Sequence, residues 1–249
     1  RNRAKNPNEN FARELLELFT MGEGKGYREG DIREVARALS GWSVDTVTAK
    51  AVFRAKHHDG GQKEFLGQRG AFGAQEVVDV ILDHDRPAQY MAEKFYDAFI
   101  GGTRHAPTIN VAAKAFRQTD YSIHVLLRTL LISPAFWDLQ TRGTQIKSPV
   151  DMVMGLARFT NWQGKTKTLV SRMNAMGQRL FRPPNVKGWP GGATWISTSS
   201  LAARNSFVFA MTRYWAAAAR SGTGSMNGMT ATAVAGEMNA LMTMAHQMP

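Results

Sequence analysis

Apolar residues recur at helical spacing along most of the chain. In "NENFARELLELFTMGEG", Phe11, Leu15, Leu18 and Phe19 fall at i, i+4, i+7 and i+8, behind Asn8 as N-cap and ahead of Gly22 as stop. "GDIREVARALSGW" repeats the pattern with Ile32, Val35, Ala36 and Leu39 and closes at Gly41. The two segments, joined by a short glycine-rich turn, predict an αα-hairpin. Further stripes follow: Val77, Val78, Ile81 and Leu82, then Met91, Phe95 and Phe99 between Pro87 and Gly101. "TINVAAKAFRQ" comes next, then Ile123, Leu126, Leu127, Leu130 and Leu131 up to Pro134. Ser148-Pro149 opens a helix with Met152, Leu156 and Phe159 facing inward. "LVSRMNAMGQRLF" is another, and the last strong stripe carries Leu201, Phe207 (or Val208) and Met211.

One segment reads differently. "AVFRAKHHDGGQKEFLG" sets two short apolar runs around Asp59-Gly60, a dipeptide that tolerates the positive φ of a tight hairpin turn. The fold class is therefore mainly α, an irregular multi-helix bundle with one short β-hairpin around residues 50–67. Residues 1–215 read as a single helical domain. Residues 216–249 are rich in Ala, Gly and Met, with a linker first and a modest stripe of Met238, Leu241 and Met242 for a docking helix.

Between these helices lies "LFRPPNVKGWPGGATW", residues 180–195. Pro183 and Pro184 fix the backbone in an extended course, while Gly188, Gly191 and Gly192 permit tight or left-handed turns around Trp189-Pro190. Trp189 and Trp195 thus sit on a stiff support. Two uses are open: wedging both indoles between neighbouring helices, or stacking them on a sugar, with Lys187 beside an acidic sugar or phosphate.

Composition narrows the chemistry. There is no cysteine, which removes disulfides, thiolate nucleophiles and zinc–sulfur sites. No apolar run approaches the roughly 20 residues of a membrane-spanning helix. The 31 Lys and Arg against 20 Asp and Glu leave a net charge of +11, which favours an anionic polymer or an acidic protein as partner. The basic residues are scattered singly, and no recognition helix or RNA-binding module is visible, so nucleic acid ranks last. No phosphate loop, dinucleotide fingerprint or haem attachment signature implies a cofactor. Serines 197, 199 and 200 sit where a helix N-cap is expected, outside any nucleophile elbow.

"NENFARELLELFTMGEGKGYREGDIREVARALSGW", "HHDGGQKEFLG", "KSPVDMV" and "GQRLFRPPNVKGWPGGATWISTSSLAAR" together resemble the C-terminal half of bacterial proteins grouped as domain of unknown function 1800. The resemblance covers Asn8 to about Trp215. The tail has no counterpart in it, and Arg28 stands where relatives commonly carry a Thr or Ser cap. It implies an extracytoplasmic setting, a longer parent in which Arg1 is internal, and no established reaction. His58-Asp59 matches the family's His-Asp position.

Three functions follow. A non-catalytic binding or assembly scaffold, part of a larger assembly, presents Lys187, Trp189 and Trp195 and a basic surface to an anionic partner. The alternative is a metal-assisted hydrolase of an exported polymer, with His58, Asp59 and Glu14 supplying metal ligands or acid–base groups and Glu17 or His84 as further donors. Nucleic-acid binding is third. For Arg13, Glu14 and Glu17 on one helix, the plainer expectation is an Arg13–Glu17 pair locking the αα-hairpin.

Overall fold

The computed structural model describes residues 2–220, and the side chains of residues 2–218. Its architecture is mainly α: ten α-helices and four short strands among the described residues. The chain divides into two compact units, the first spanning Arg1–Gln145 and the second starting at Ile146.

The first unit begins with α1 (Glu9–Glu14), which runs on directly as a π-helix over Leu15–Thr20. Asn8 caps it as expected, its side chain accepting from the Phe11 amide at 3.1 Å. The buried positions are Ala12, Leu16 and Met21, whereas Phe11 and Phe19 face water. For Phe19 the reason lies in the turn. Ala12 and Leu16 are four apart, but Leu16 and Met21 are five apart, bridged by the Met21 amide donating to the Leu16 carbonyl at 2.7 Å. A stripe written at 3.6 residues per turn drifts off the core across that wider turn.

α2 (Glu29–Ala38) follows, with Ile32, Val35, Ala36 and Leu39 all buried, as its pattern predicts. Its first turn is tied by the Arg28 amide donating to Asp31 Oδ2 at 2.6 Å, the N3 half of a capping box whose N-cap side chain Arg28 cannot supply. Arg13 pairs with Glu17 at 3.3 Å, but the link between helices is its two-pronged bond to Glu29, both prongs 2.8 Å.

The β structure differs from the expected single hairpin. β1 (Trp42–Val44) pairs antiparallel with β2 (Ala51–Phe53), and β3 (Lys63–Phe65) with β4 (Gln68–Gly70). Asp59-Gly60 lies in the connection between the two hairpins and turns neither. The tight turn with two positive φ values belongs to Leu66 (49°) and Gly67 (76°).

The rest of this unit is helical: α3 (Ala74–Asp83), α4 (Asp85–Phe99), α5 (Ala106–Gln118), α6 (Ile123–Leu131) and α7 (Pro134–Trp137). On α4 the inward face is Ala88, Ala92 and Tyr96, with Phe99 half exposed. The alanines oppose Ala112 and Ala113 of α5 in one core cluster, where small side chains let the helices approach closely. Arg86 anchors this helix, donating to the Met21 carbonyl at 2.7 Å and holding both oxygens of Glu93.

In the second unit, α8 (Pro149–Phe159), α9 (Thr166–Ala175) and α10 (Thr198–Arg220) enclose Val153, Ala157, Leu169, Met173, Phe207 and Met211. Ser148 caps α8 from Pro149 onward, as read from the sequence. Between α9 and α10 runs the proline–glycine loop. α10 continues past Trp215 to Arg220; the tail beyond it, including the expected docking helix, lies outside the described residues.

Candidate functional site

The His58–Asp59 region is built as a clasp on the C-terminal end of α2. Ser40, fully buried, donates from Oγ to the Arg37 carbonyl at 2.6 Å and accepts the Asp59 amide at 2.8 Å. The Ser40 carbonyl lies 2.9 Å from His58 Nδ1, so that nitrogen carries the proton and donates. Asp59 takes Arg37 Nε on Oδ2 at 2.8 Å and the Gly61 amide on Oδ1 at 2.9 Å. Arg37 also reaches Glu34 at 2.7 Å. Together these contacts hold the Asp59 carboxyl below the usual carboxylate range, the Arg37 bond contributing most.

Lys63 closes the loop from below. Its side chain is buried, and Nζ donates to the carbonyls of Asp59 at 2.5 Å and Gly61 at 2.9 Å. Burial lowers its pKa. The polar groups of this cluster bind one another, the loop's backbone and the end of α2. Glu14 joins neither His58 nor Asp59 and forms no ion pair among the described residues. Nor do any three His, Cys, Asp or Glu side chains among them gather closely enough to hold a metal ion. His84, a reserve donor in the sequence reading, is the N-cap of α4, its Nδ1 accepting the Arg86 amide at 3.1 Å.

The second unit offers a different kind of site. Gly177, at φ 92°, stops α9 and turns the chain into the loop. Asn185 Oδ1 accepts the Lys187 amide at 2.9 Å, and Gly188, Gly191 and Gly192 take φ values of 88°, 68° and 56°. All three glycines therefore occupy the left-handed conformation that their positions in the sequence imply. α10 starts with a serine version of the capping box. The Ser200 amide donates to Ser197 Oγ at 3.2 Å, and the Ser197 amide to Ser200 Oγ at 2.9 Å. Ser200 Oγ also donates to the Trp195 carbonyl at 2.6 Å, fastening the loop to the helix.

The two indoles part company here. Trp195 is buried, 7% exposed, whereas Trp189 is half-buried. Both border an open cleft of about 440 Å³ enclosed by the end of α9, the loop and the start of α10. Its polar wall comes from Arg179, Arg182, Asn174, Thr194, Ser197 and Ser199, and no His, Asp or Glu lines it. Lys187 is exposed and does not line the cleft; the cations that do are Arg179 and Arg182. Sequence reading missed these two. The available signal was their i, i+3 spacing in "QRLFRPP", directly before the prolines.

One turn beyond Ser200 on α10, Arg204 is only 8% exposed and has no carboxylate partner among the described residues. Nη2 donates to the Lys147 carbonyl at 2.9 Å and Nη1 lies 3.3 Å from Met152 Sδ, while Nε meets no acceptor. Desolvation alone lowers its pKa. A buried charge without a counter-charge is a cost that the second unit carries.

A family model described as Protein of unknown function (DUF1800) matches residues 1–248, and the chain belongs to that family. The match takes in essentially the whole chain. It replaces the narrower expectations of a C-terminal half, a resemblance ending near Trp215 and a tail without counterpart. No curated protein and no solved structure matches the chain.

Proposed function

We propose that this DUF1800 member is a non-catalytic binding or assembly scaffold, acting outside the cytoplasm, that grips acidic sugar or phosphate groups of an anionic polymer in the cleft of its second unit. The observation that carries this reading is the chemistry of the cleft wall. Two guanidiniums, a half-buried indole and a row of hydroxyls and an amide converge on about 440 Å³. That volume lies within the ~300–1,000 Å³ of ordinary ligand sites. Arginine forks match the oxygens of carboxylate, sulfate and phosphate, and an indole face accepts the C–H face of a sugar ring. The glycines and prolines keep Trp189 in place before a ligand arrives, which lowers the entropic cost of binding. The absence of histidine and carboxylate from the wall supports binding in preference to acid–base work there.

The hydrolase alternative has less support, because Asp59 and His58 are engaged on Arg37 and Ser40 and Glu14 stands apart from them. The extracytoplasmic setting rests on the family resemblance.

Retention on a heparin resin tests the reading. The wild-type chain elutes late and progressively earlier as salt is raised. The pair Arg179→Gln/Arg182→Gln elutes clearly earlier, and Trp189→Ala binds more weakly at equal charge. Unchanged elution of the glutamine pair would place the anion site elsewhere.

A further inference from the structure

The loop that forms the cleft also carries two apolar side chains that the fold leaves in water. Phe181 is 94% exposed and Val186 74%. Phe181 additionally has φ 59°, a left-handed conformation unfavourable to a bulky residue. Neither packs in the core of the second unit. Their placement is regular: Phe181 lies between Arg179 and Arg182, and Val186 between Pro184 and Trp189, all four of which line the cleft. Within eleven residues, from 179 to 189, the chain alternates groups suited to an anion with groups suited to an apolar phase.

Resting on the reading that the cleft grips an anionic group, we infer that this group stands at a lipid surface, the cleft taking the anionic headgroup while Phe181 and Val186 enter the acyl boundary. A soluble polyanion satisfies the arginines but leaves both apolar side chains hydrated. An anionic bilayer satisfies both sets at once, as interfacial segments do when aromatic and aliphatic groups are flanked by cations. The chain's charge of +11 draws it to such a surface. No helix among the described residues is long and apolar enough to cross a membrane.

Co-sedimentation of the full chain with vesicles tests this, using phosphatidylcholine alone and phosphatidylcholine mixed with phosphatidylglycerol. A soluble sulfated oligosaccharide is titrated in parallel. The wild type binds the mixed vesicles and not the neutral ones. Phe181→Ser/Val186→Ser lowers vesicle partitioning about tenfold and leaves oligosaccharide binding unchanged. Arg179→Gln/Arg182→Gln weakens both, by about fivefold per arginine at the vesicle. Vesicle binding that ignores the serine pair overturns the inference. So does a wild type that binds the soluble oligosaccharide but neither vesicle; the cleft reading then survives. Failure to bind oligosaccharide and vesicle alike sinks the cleft reading itself. Both exposed positions tolerate serine without loss of packing, and an unchanged melting temperature verifies that.

Discussion

Arg37 Nε donates to Asp59 Oδ2 at 2.8 Å across 22 residues of sequence, and through this bond the end of α2 grips the loop that precedes β3. The Asp59-Gly60 pair owes its conformation to that long-range partner, together with Ser40 and Lys63, more than to any intrinsic hairpin preference. Histidine and aspartate here act as fasteners.

Ser40 should therefore matter more than His58. Removing its hydroxyl leaves the part-buried Asp59 amide without its acceptor, so Ser40→Ala is predicted to lose ~1–3 kcal/mol. His58→Ala loses one hydrogen bond and an edge contact with Phe53, centred 5.4 Å away, for ~1–2 kcal/mol. Chemical denaturation of both variants measures this. Metal content of the purified protein should be the same in His58→Ala as in wild type; a metal lost with His58 would revive the hydrolase.

The indoles should separate stability from binding. Trp195 is buried, so Trp195→Ala is expected to cost ~3–5 kcal/mol by thermal or denaturant unfolding. Trp189→Ala should cost less than about 1 kcal/mol yet weaken oligosaccharide binding. Equal destabilisation by the two would mean that both are packing residues.

Arg204 predicts an unusual sign. Its buried charge is uncompensated, so Arg204→Met, which keeps much of the volume and sheds the charge, should leave stability unchanged or raise it by ~1–2 kcal/mol. Arg204→Ala leaves a cavity and should be destabilised. A large loss in the methionine variant would reveal a carboxylate partner for this guanidinium.

Glu93 supplies the acid limb. Its bond to Arg86 holds the carboxyl below the usual range, against desolvation. Arg86 and Glu93 are 14% and 12% exposed, while Arg104 and Lys25 add to the same field. A folded-state value below the unfolded one means that the pair's stabilisation is complete above the ordinary glutamate pKa of about 4.3. It is lost as pH falls through the folded value. Glu93→Gln should be less stable than wild type at neutral pH by ~2–4 kcal/mol, with the gap closing in acid. Melting curves across that range follow it, and a gap that stays constant contradicts the assignment.

Helix content was legible because the stripes are strong, and on α2 all four residues of the stripe are buried. The inward faces of α1 and α4 were legible in part: Leu15, Met91 and Phe95 pack against the core, while Phe11, Phe19 and Phe99 face water. On α1 the buried face is already set by Ala12 and Leu16, and the π-turn then carries it to Met21 and leaves Phe19 in water; no local residue announces such a turn. On α4 close approach to α5 favoured alanines over Phe99, a decision made by the partner helix. The proline–glycine loop was readable as a rigid element, since prolines and glycines act on the backbone locally. Its cations were not, because Arg179 and Arg182 reach the cleft only after the chain turns at Gly177.

The central claim is most directly tested by a structure of the protein with a sulfated disaccharide bound. The account predicts the sulfate on Arg179 and Arg182 and a sugar ring against Trp189. A ligand seated on the His58–Asp59 clasp, or anywhere away from the proline–glycine loop, would contradict it.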